Sequence, residues 1–307
     1  MRLDKEISRT AERQGGVITV RDLARIGISH NESQHRVRTG RWTRIHRGVF
    51  LIGGVRMTPH VARWAAVLAV GERAACSHAT AAAVWALGVH EDPSMIHILL
   101  PRASVVSLKQ VVGHRTSALF PDDLTRVGGL PVTTVERTIV DTAALLSDRR
   151  LGRTIDSALR RRILSLDRLR RCIARLGAAP NRRTSPLHRA LAERIPGYRP
   201  GDSDFESDVL RMIRGWKFPI PAQSYRLRLS HTDYHLDLAW PDRRVAVELD
   251  SWQYHRGRQS FDDDRRRSNL LARNGWTAFR FTPTTPASEI RGLLAEALAK
   301  RGLEGLS

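Results

Sequence analysis

The stretch ITVRDLARIGISHNESQHRVRTGRWTRIHRGVFLIGG, residues 18–54, contains two helix-start signals followed by an alternating basic segment. Thr19 and Ser29 each stand three residues before an acid, which is the spacing of a capping box at the first turn of a helix. A glycine follows each predicted helix, at the position where helices commonly end. The stretch therefore predicts helices over residues 20–26 and 30–39, and then a short β-hairpin.

With a further helix predicted over residues 3–14, the element order is three helices and a basic hairpin, which is typical of a winged helix-turn-helix. The third helix carries Asn, Gln and Arg, which pair with adenine and guanine edges in the major groove. The hairpin carries arginines suited to phosphate contacts. We therefore expect residues 1–58 to bind DNA, although a small basic domain that binds a protein is the alternative. The predicted DNA contacts are Asn31, Gln34, His35, Arg38, Arg41, Arg44 and Arg47.

The formal net charge of +20 indicates a polyanionic partner. Residues 1–60 carry 12 basic and 5 acidic groups, residues 61–200 carry 22 and 11, and residues 201–307 carry 17 and 15. Of the 51 cationic residues, 47 are arginine, which binds phosphate and guanine with paired hydrogen bonds. Double-stranded DNA is thus the expected partner. A membrane partner is not expected, because no basic amphipathic helix with a large apolar face appears.

The two cysteines, Cys76 and Cys172, are far apart and argue against a disulfide framework or a cysteine-based zinc site. The start of the chain, MRLDKEISRT, lacks the apolar core of a signal peptide. The longest apolar runs, such as AAVLAV at residues 65–70, are far too short to span a bilayer. We expect a cytoplasmic protein.

Residues 59–176 are predicted to form a mostly helical α+β domain with strands at 95–100 and 110–115. Residues 177–203 are rich in Pro, Gly and Arg, which indicates a linker, and a short helix near His188 to Arg194 is expected to interrupt it. No chemistry is assigned to the histidines of the central domain, because their spacing matches no common metal-ligand pattern and separate polar or core histidines are the commoner case. These histidines are His78, His97 and His114.

Residues 204–307 are predicted to form an α/β domain that contains an antiparallel hairpin. If the turn PDRR pairs Trp240 with Val245, the alternation of side chains puts Leu236 and Leu238 on an apolar core face. A slip of one residue would exchange the two faces.

The opposite face of this hairpin carries Asp237 directly across from Glu248, with Asp250 close by and no Lys or Arg between them. Directly opposed side chains lie about 4.5–5.5 Å apart, and like charges there repel. A cation is therefore expected between the acids, and their hard oxygen ligands favour Mg²⁺ (or Mn²⁺). The alternative is a half-exposed hairpin whose outer face is acidic without binding a metal.

The ordered acids of this domain, followed by NGWTAFRF at residues 274–281, resemble the endonuclease-like domains related to very-short-patch mismatch repair nucleases, within the broad PD-(D/E)XK class. The resemblance rests on Glu206, Asp237, Glu248-Leu249-Asp250, His255 and Asp264-Arg265. It implies a restriction-endonuclease-like α/β fold, a helix acid in Glu206, and metal ligands in Asp237 and Glu248.

Three further residues, Asp250, His255 and Arg265, are compared with the usual PD-(D/E)XK pattern. Asp250 stands where many of the class carry lysine. In the branch related to very-short-patch repair, a histidine is thought to assist instead, which implies that His255 moves the proton. Arg265 either forms a structural pair with Asp264 or clamps phosphate.

Four stretches in the first 176 residues resemble the AbiEi family of type IV antitoxins. They are ITVRDLARIGIS, GRWTRIHRGVFLIGG, SHATAAAVWALG and LPVTTVERTIVDTA. The resemblance implies a winged-helix N-terminus that binds DNA and represses its own operon.

Three functions follow from these patterns. The first is a DNA-binding protein that combines an antitoxin-like winged helix with a metal-dependent DNA endonuclease. The second is a transcriptional repressor, or antitoxin, whose nuclease-like domain is catalytically inactive. The third is an interaction protein that acts on a cognate toxin.

Overall fold

The computed structural model describes most of the chain, and the residues divide into two compact units. Unit 1 is Met1–Arg194 and unit 2 is Ile195–Ser307. The side chains of residues 2, 259–264 and 300 are not described. The described residues are 2–103, 107–177, 182, 184–194, 198, 200–201, 203–229, 232–250 and 259–300.

The first six elements of unit 1 are three helices and a three-stranded antiparallel sheet of order β1–β3–β2. They are α1 (Arg2–Glu12), β1 (Val17–Thr19), α2 (Val20–Ile26), α3 (His30–Arg38), β2 (Trp42–His46) and β3 (Val49–Ile52). This order is consistent with the predicted winged helix-turn-helix, with the β2–β3 hairpin as its wing. The core of this segment includes Ile7, Ile18, Leu23, Trp42 and Phe50.

Both predicted capping boxes are confirmed. The Thr19 side chain accepts a hydrogen bond from the backbone N–H of Asp22 at 3.1 Å, and the Asp22 carboxylate accepts one from the N–H of Thr19 at 3.1 Å. At the start of α3, Glu32 N donates to Ser29 Oγ at 3.2 Å and Ser29 N donates to Glu32 Oε2 at 2.8 Å. Gly27, with φ of +91°, ends α2 in the left-handed region that favours glycine. Local chemistry therefore sets where α2 and α3 begin.

The rest of unit 1 is a five-stranded sheet of order β6–β5–β4–β8–β7 with helices around it. Its helices are α4 (Pro59–Val70), α5 (His78–Val84), α6 (Val135–Thr142), α7 (Asp148–Arg160), α8 (Leu166–Leu176) and α9 (Thr184–Ala192). Its strands are β4 (Ala75–Cys76), β5 (Ile96–Pro101), β6 (Val111–Thr116), β7 (Leu124–Val127) and β8 (Leu130–Thr133).

The sheet has more strands than the sequence predicts, because β4, β7 and β8 were not anticipated. β4 has two residues, too few for an alternating pattern. β7 and β8 are joined at Gly128 and Gly129, both with positive φ, and β8 ends two residues before α6 begins. Because the helical pattern of α6 begins so close to β8, the four residues of this strand do not stand out in the sequence.

The short helix predicted within the linker 177–203 is present as α9, but it begins at Thr184, earlier than predicted. Leu187, Ala190 and Leu191 of this helix are buried in the same apolar cluster as Leu151 of α7. Part of that stretch therefore packs onto the core of unit 1, and the division between the two units follows Arg194.

A buried ion network lies within unit 1 around Arg137 of α6, whose side chain is 1% exposed. Its Nη1 lies 2.9 Å from Asp123 Oδ2, and its Nε lies 2.9 Å from Asp141 Oδ2. Arg137 Nη1 also donates to the backbone oxygen of Ala118 at 2.9 Å. Burial alone would lower the pKa of Arg137, but the two carboxylates raise it, so the guanidinium stays charged. A second buried pair joins Arg194 to Asp156 at 2.8 Å.

In unit 2, β9, β10 and β11 are antiparallel neighbours and β12 runs parallel to β11, in the order β12–β11–β10–β9. The predicted hairpin register is confirmed, with Leu238 opposite Val247 and Trp240 opposite Val245. The elements are α10 (Asp204–Gly215), β9 (Ala222–Leu229), β10 (Thr232–Trp240), β11 (Val245–Leu249), α11 (Gln259–Arg273), β12 (Thr277–Phe281) and α12 (Ala287–Lys300).

The two faces of this sheet bury different side chains. Leu238, Trp240, Val245 and Val247 pack with residues of α10 and α12, such as Ile213 and Leu294. On the other face, Ala239 and Ala246 pack with Leu271 of α11 and Trp276. Small side chains at these two strand positions therefore leave room for the helix.

The prediction that Leu236 shares the face of Leu238 is wrong. Leu236 packs in the cluster of Ala239 and Ala246, so the alternation of faces breaks between positions 236 and 238. The backbone of the neighbouring strand β9 is irregular beside this break. Ser224, which lies between the partners of Leu236 and Leu238, has a φ of +49°.

Among the described residues, no helix combines the length and the apolar character that a bilayer crossing requires.

We expect Arg137→Ala to lower the free energy of unfolding by about 3–5 kcal/mol, because it leaves the buried Asp141 without its paired arginine and removes one of the two arginines that bond Asp123. Chemical denaturation followed by circular dichroism measures the change. Arg150→Ala removes an exposed arginine of α7 and is the matched control. Equal stability of the two variants would contradict the proposed importance of the network.

Candidate nucleic-acid interface and acidic hairpin

An open groove of about 840 Å³ lies between α3 and the β2–β3 hairpin. Its lining includes two arginines, two histidines and one glutamine, and none of the described residues that line it is a carboxylate. Gln34 of α3 accepts a hydrogen bond from the Arg44 guanidinium of β2, which joins the helix to the wing. The lining residues are Val20, His30, Gln34, Arg44, Ile45, His46, Arg47, Gly48 and Phe50.

Contacts with neighbouring elements hold α3 in place behind the groove. The guanidinium of Arg36 lies 5.1 Å from the centre of the Trp42 ring and 3.1 Å from the carboxylate of Asp4. Ser33 is 1% exposed at a position where an apolar side chain would be usual, and its hydroxyl donates to His30 O at 2.6 Å. The buried hydroxyl is thus satisfied by its own helix.

The structure brings three of the seven predicted DNA contacts, Gln34, Arg44 and Arg47, to the groove lining. The other four are exposed beside it and do not line it. They are Asn31, His35 and Arg38 on α3 and Arg41 before β2. His30 and His46 also line the groove and were not among the predicted contacts. Burial lowers the pKa of His46, which is therefore neutral at pH 7.

Of the acids of the unit 2 hairpin, Asp237 lies within β10, while Glu248 near the end of β11 and Asp250 just after it pair with two arginines. Asp237 Oδ2 accepts a hydrogen bond from the backbone N–H of Leu249 at 2.7 Å. Glu248 Oε1 lies 2.5 Å from Arg267 Nη2 of α11, and Glu248 Oε2 lies 3.3 Å from Arg280 Nη2 of β12. Asp250 also pairs with Arg280, at 3.3 Å.

Glu248 is more easily protonated than an ordinary glutamate. Burial raises its pKa, the charge of Asp237 raises it further, and Arg267 and Arg280 oppose this shift. The influence of Asp237 is consistent with the predicted convergence of the two acids at this end of the hairpin.

The hairpin face itself carries no Lys or Arg between these acids, as predicted, but arginines reach them from two elements outside the hairpin. Arg280 reaches Glu248 because β12 runs parallel to β11 and places the two residues opposite each other. Arg267 comes from α11, which covers the same face. The hairpin sequence alone contains neither element.

These residues do not form a complete metal site as they are arranged. Each oxygen of Glu248 faces a guanidinium, and one oxygen of Asp237 accepts a backbone hydrogen bond. Across the described part of the chain, no group of three or more His, Cys, Asp or Glu side chains is placed to hold a metal ion. The Mg²⁺ ligation of Asp237 and Glu248 stays a prediction.

The other residues predicted for this site are placed as follows. Glu206 is 5% exposed in the first turn of α10, where its N–H donates to Ser203 Oγ at 3.0 Å. Arg265 is exposed on α11. His255 lies outside the described residues, as does the side chain of Asp264. Their predicted roles are therefore not tested.

The three histidines interpreted as separate residues form a cluster in unit 1. The ring centres of His78 and His114 are 3.5 Å apart and the rings are stacked, while His97 Nδ1 and His114 Nε2 share a hydrogen bond of 2.9 Å. The rings meet because His97 and His114 lie on the neighbouring parallel strands β5 and β6, and His78 begins α5. This pairing across strands leaves no trace in the spacing along the chain.

The pKa values of the clustered histidines are low. Burial first, and then the charges of the neighbouring histidines, lower the pKa of His78 and of His114 to about 3 each. The pKa of His97 is lowered mainly by burial. All three rings are therefore neutral at pH 7.

Comparison with known proteins bears on the N-terminal segment. Residues 5–53 match a family described as "Transcriptional regulator, AbiEi antitoxin". The match covers most of α1 and all of the elements from β1 to β3, and it confirms the predicted resemblance for this segment. The match lies outside unit 2, whose resemblance to nucleases stays a prediction.

Two similar proteins come from Mycobacterium tuberculosis. They are Uncharacterized protein MT2308 of strain CDC 1551 / Oshkosh and Uncharacterized protein Rv2248 of strain ATCC 25618 / H37Rv. Each is 28% identical over 213 residues, which is 68% of this chain and 74% of the relative. The crystal structure of the RV2827C protein from the same species has a TM-score of 0.38 at 18% identity, covering 62% of this chain and 75% of that one. A TM-score at this level does not establish a shared fold.

We expect acid to destabilise unit 1 through the histidine cluster. Because the folded state lowers these pKa values, the cluster stabilises the fold fully above the ordinary histidine pKa of about 6.5 and loses this effect as the pH falls toward 3. Each histidine contributes at most about 1.4 kcal/mol per pH unit. Urea unfolding between pH 7 and pH 5 should show a smaller decrease for His114→Gln than for the wild type.

The matched control for this experiment is His188→Gln, which removes an exposed histidine of α9. It should keep the pH dependence of the wild type. An identical decrease for all three proteins would show that the cluster does not set the acid sensitivity.

Proposed function

We propose that this protein is a DNA-binding transcriptional regulator of the AbiEi antitoxin type. The observation that carries the proposal is the match of residues 5–53 to that family, because this segment contains both sides of the groove between α3 and the wing. An excess of positive charge and a groove without carboxylates support a polyanionic ligand. Double-stranded DNA is the ligand that suits a helix and a hairpin presented together.

In this proposal α3 enters the major groove and the wing follows the backbone. Asn31 and Gln34 have amides that pair with adenine, and Arg38 has a guanidinium that pairs with guanine. Arg41 and Arg47 are exposed at either end of β2 and suit phosphate. The bond between Arg44 and Gln34 holds the helix and the wing in one relative position before DNA arrives, which reduces the ordering required on binding.

An antitoxin also has a toxin as its partner, so we propose a cognate toxin as the second macromolecule that this chain binds. A toxin gene beside the gene for this protein, together with co-purification of the two products, is the observation that would identify it.

We expect Arg38→Ala and Arg44→Ala each to weaken binding to the DNA upstream of the protein's own gene by about 10- to 100-fold. Each removes a cation from the α3–wing surface. Fluorescence anisotropy over a range of salt concentrations measures the affinity, and loss of a phosphate contact should reduce the salt slope by about one. Asp237→Ala and the exposed Arg150→Ala are controls that should bind like the wild type.

No protection of the upstream DNA by the wild-type protein in footprinting would contradict self-regulation. Equal weakening by Arg150→Ala would show that net charge, and not the α3–wing surface, determines the affinity.

A second candidate function is metal-dependent DNA hydrolysis by unit 2. It is favoured by the confirmed hairpin register and by the influence of Asp237 on the pKa of Glu248. The pairing of Glu248 with Arg267 and Arg280 counts against a bound Mg²⁺ or Mn²⁺ in this arrangement. We therefore rank a regulator whose nuclease-like unit is inactive ahead of an active endonuclease.

We expect the wild-type protein to leave supercoiled plasmid intact in both Mg²⁺ and EDTA, because Arg267 and Arg280 pair with Glu248, one of the two carboxylates predicted to hold the metal. Agarose gels after incubation measure nicking. Nicking that requires Mg²⁺ and is lost in Glu248→Ala would overturn this expectation and establish the endonuclease. Nicking of equal strength by both proteins would indicate a contaminating nuclease.

A further inference from the structure

Unit 1 contains a second cavity, of about 400 Å³, on the α2 side of the N-terminal segment. This volume lies within the range of small-molecule sites, about 300–1,000 Å³. One wall is apolar and is formed by Trp64, Val67 and Leu68 of α4 together with Pro131 of β8. The other side is basic. It contains Arg13 after α1, Arg21 and Arg25 of α2, and Arg126 of β7.

Two carboxylates also line this cavity, and both have partners. The Asp22 carboxylate accepts hydrogen bonds from the N–H and the hydroxyl of Thr19, at 3.1 and 2.7 Å. Glu72 pairs with Arg25 at 3.5 Å. The acids of the cavity are thus engaged with the protein itself.

Two of the four arginines could bind an anion without first breaking an ion pair with the protein. Within the described residues, Arg13 and Arg21 have no carboxylate partner, and both are exposed at the edge of the cavity. Arg25 shares its charge with Glu72, and Arg126 donates to the backbone oxygen of Gly129 at 2.8 Å. Guanidinium groups bind phosphate and carboxylate with two parallel hydrogen bonds. The charge of Arg13 and Arg21 therefore suits an anionic group at the edge of the cavity.

The apolar wall is held in position by its own contacts. The indole Nε1 of Trp64 donates to His60 Nε2 at 3.2 Å. Gly15, with φ of +66°, lies so close that a Cβ there would be 2.6 Å from Trp64 Cδ1. The tryptophan ring is therefore fixed between α4 and the turn after α1, and the wall exists before a ligand arrives.

Gln14 adds a hydrogen-bonding group to the same cavity. Its Nε2 donates to Asp22 at 3.4 Å, while its Oε1 is buried and has no hydrogen-bond partner in the described structure. An amino group of a ligand would satisfy this oxygen once the amide turns toward the cavity. A buried acceptor without a partner costs free energy. A hydrogen bond from the ligand to Gln14 Oε1 would therefore offset the cost of turning the amide away from Asp22.

We propose that this cavity binds a nucleoside phosphate, with the base against the partly exposed Leu68 and Pro131 and the phosphate on Arg13 and Arg21. An apolar wall, a nearby amide acceptor and two unpaired guanidinium groups match the three parts of such a molecule. The inference goes beyond the proposed function, since DNA binding through α3 needs no small ligand.

Isothermal titration calorimetry of the full chain with AMP, adenosine and inorganic phosphate tests the proposal. AMP should bind with one site per chain and at least tenfold more tightly than either adenosine or phosphate, because only AMP engages both sides of the cavity. The double variant Arg13→Gln/Arg21→Gln should lose at least tenfold in AMP affinity. Arg115→Gln, which removes an exposed arginine of β6 outside the cavity, should bind AMP like the wild type.

Several results would overturn the proposal. These are no heat with AMP at millimolar concentration, adenosine or phosphate binding as tightly as AMP, or an equal loss in Arg115→Gln. A thermal melt that matches the wild type shows that the double variant is folded, as expected for two exposed positions. The DNA-binding experiment uses other residues, so failure of either proposal leaves the other standing.

Discussion

The buried guanidinium of Arg137 is the interaction on which the arrangement of unit 1 depends. A charge removed from water needs partners, and Arg137 finds them in Asp123, before β7, and Asp141, on its own helix. Asp123 also bonds Arg175 of α8, so one network joins a loop of the sheet to two helices. None of these elements can shift without leaving a buried charge unpaired. The sheet that they support packs in turn against α4, whose apolar residues share a cluster with Val17, Val49 and Leu51 of the N-terminal segment.

Arginines in the interior of this protein differ from those on the α3–wing surface in whether a carboxylate lies near them. At the buried or half-buried Arg137, Arg194 and Arg267, a carboxylate lies within ion-pair distance. Along the groove of α3 and the wing, cations stand without acids in the lining. A surface of this kind contributes to the net charge of +20 and suits an external polyanion. The acids of the unit 2 hairpin follow the interior pattern, because arginines from neighbouring elements compensate them.

Sequence patterns predicted those features that depend on neighbouring residues. The capping boxes of Thr19 and Ser29 located two helices, and the PDRR turn located the register of β10 and β11. The predictions failed where short elements or local irregularities intervene. β4 is too short to show alternation, and the break in alternation between Leu236 and Leu238 accompanies an irregular backbone at Ser224 in the adjacent strand. Neither feature has a recognisable signal in the letters of the chain.

The amino-acid sequence by itself determined the charge, the three-helix and hairpin order of the N-terminal segment, and the register of the hairpin that carries Asp237 and Glu248. Only the tertiary structure decided what surrounds these groups. It brought Arg280 opposite Glu248 across a parallel pair of strands and stacked His78 on His114. The physical reason is the separation along the chain of the residues that interact. Hydrogen bonds between residues three positions apart form in any chain with those side chains, whereas contacts between residues separated by 32 or 36 positions exist only after sheets and helices have packed.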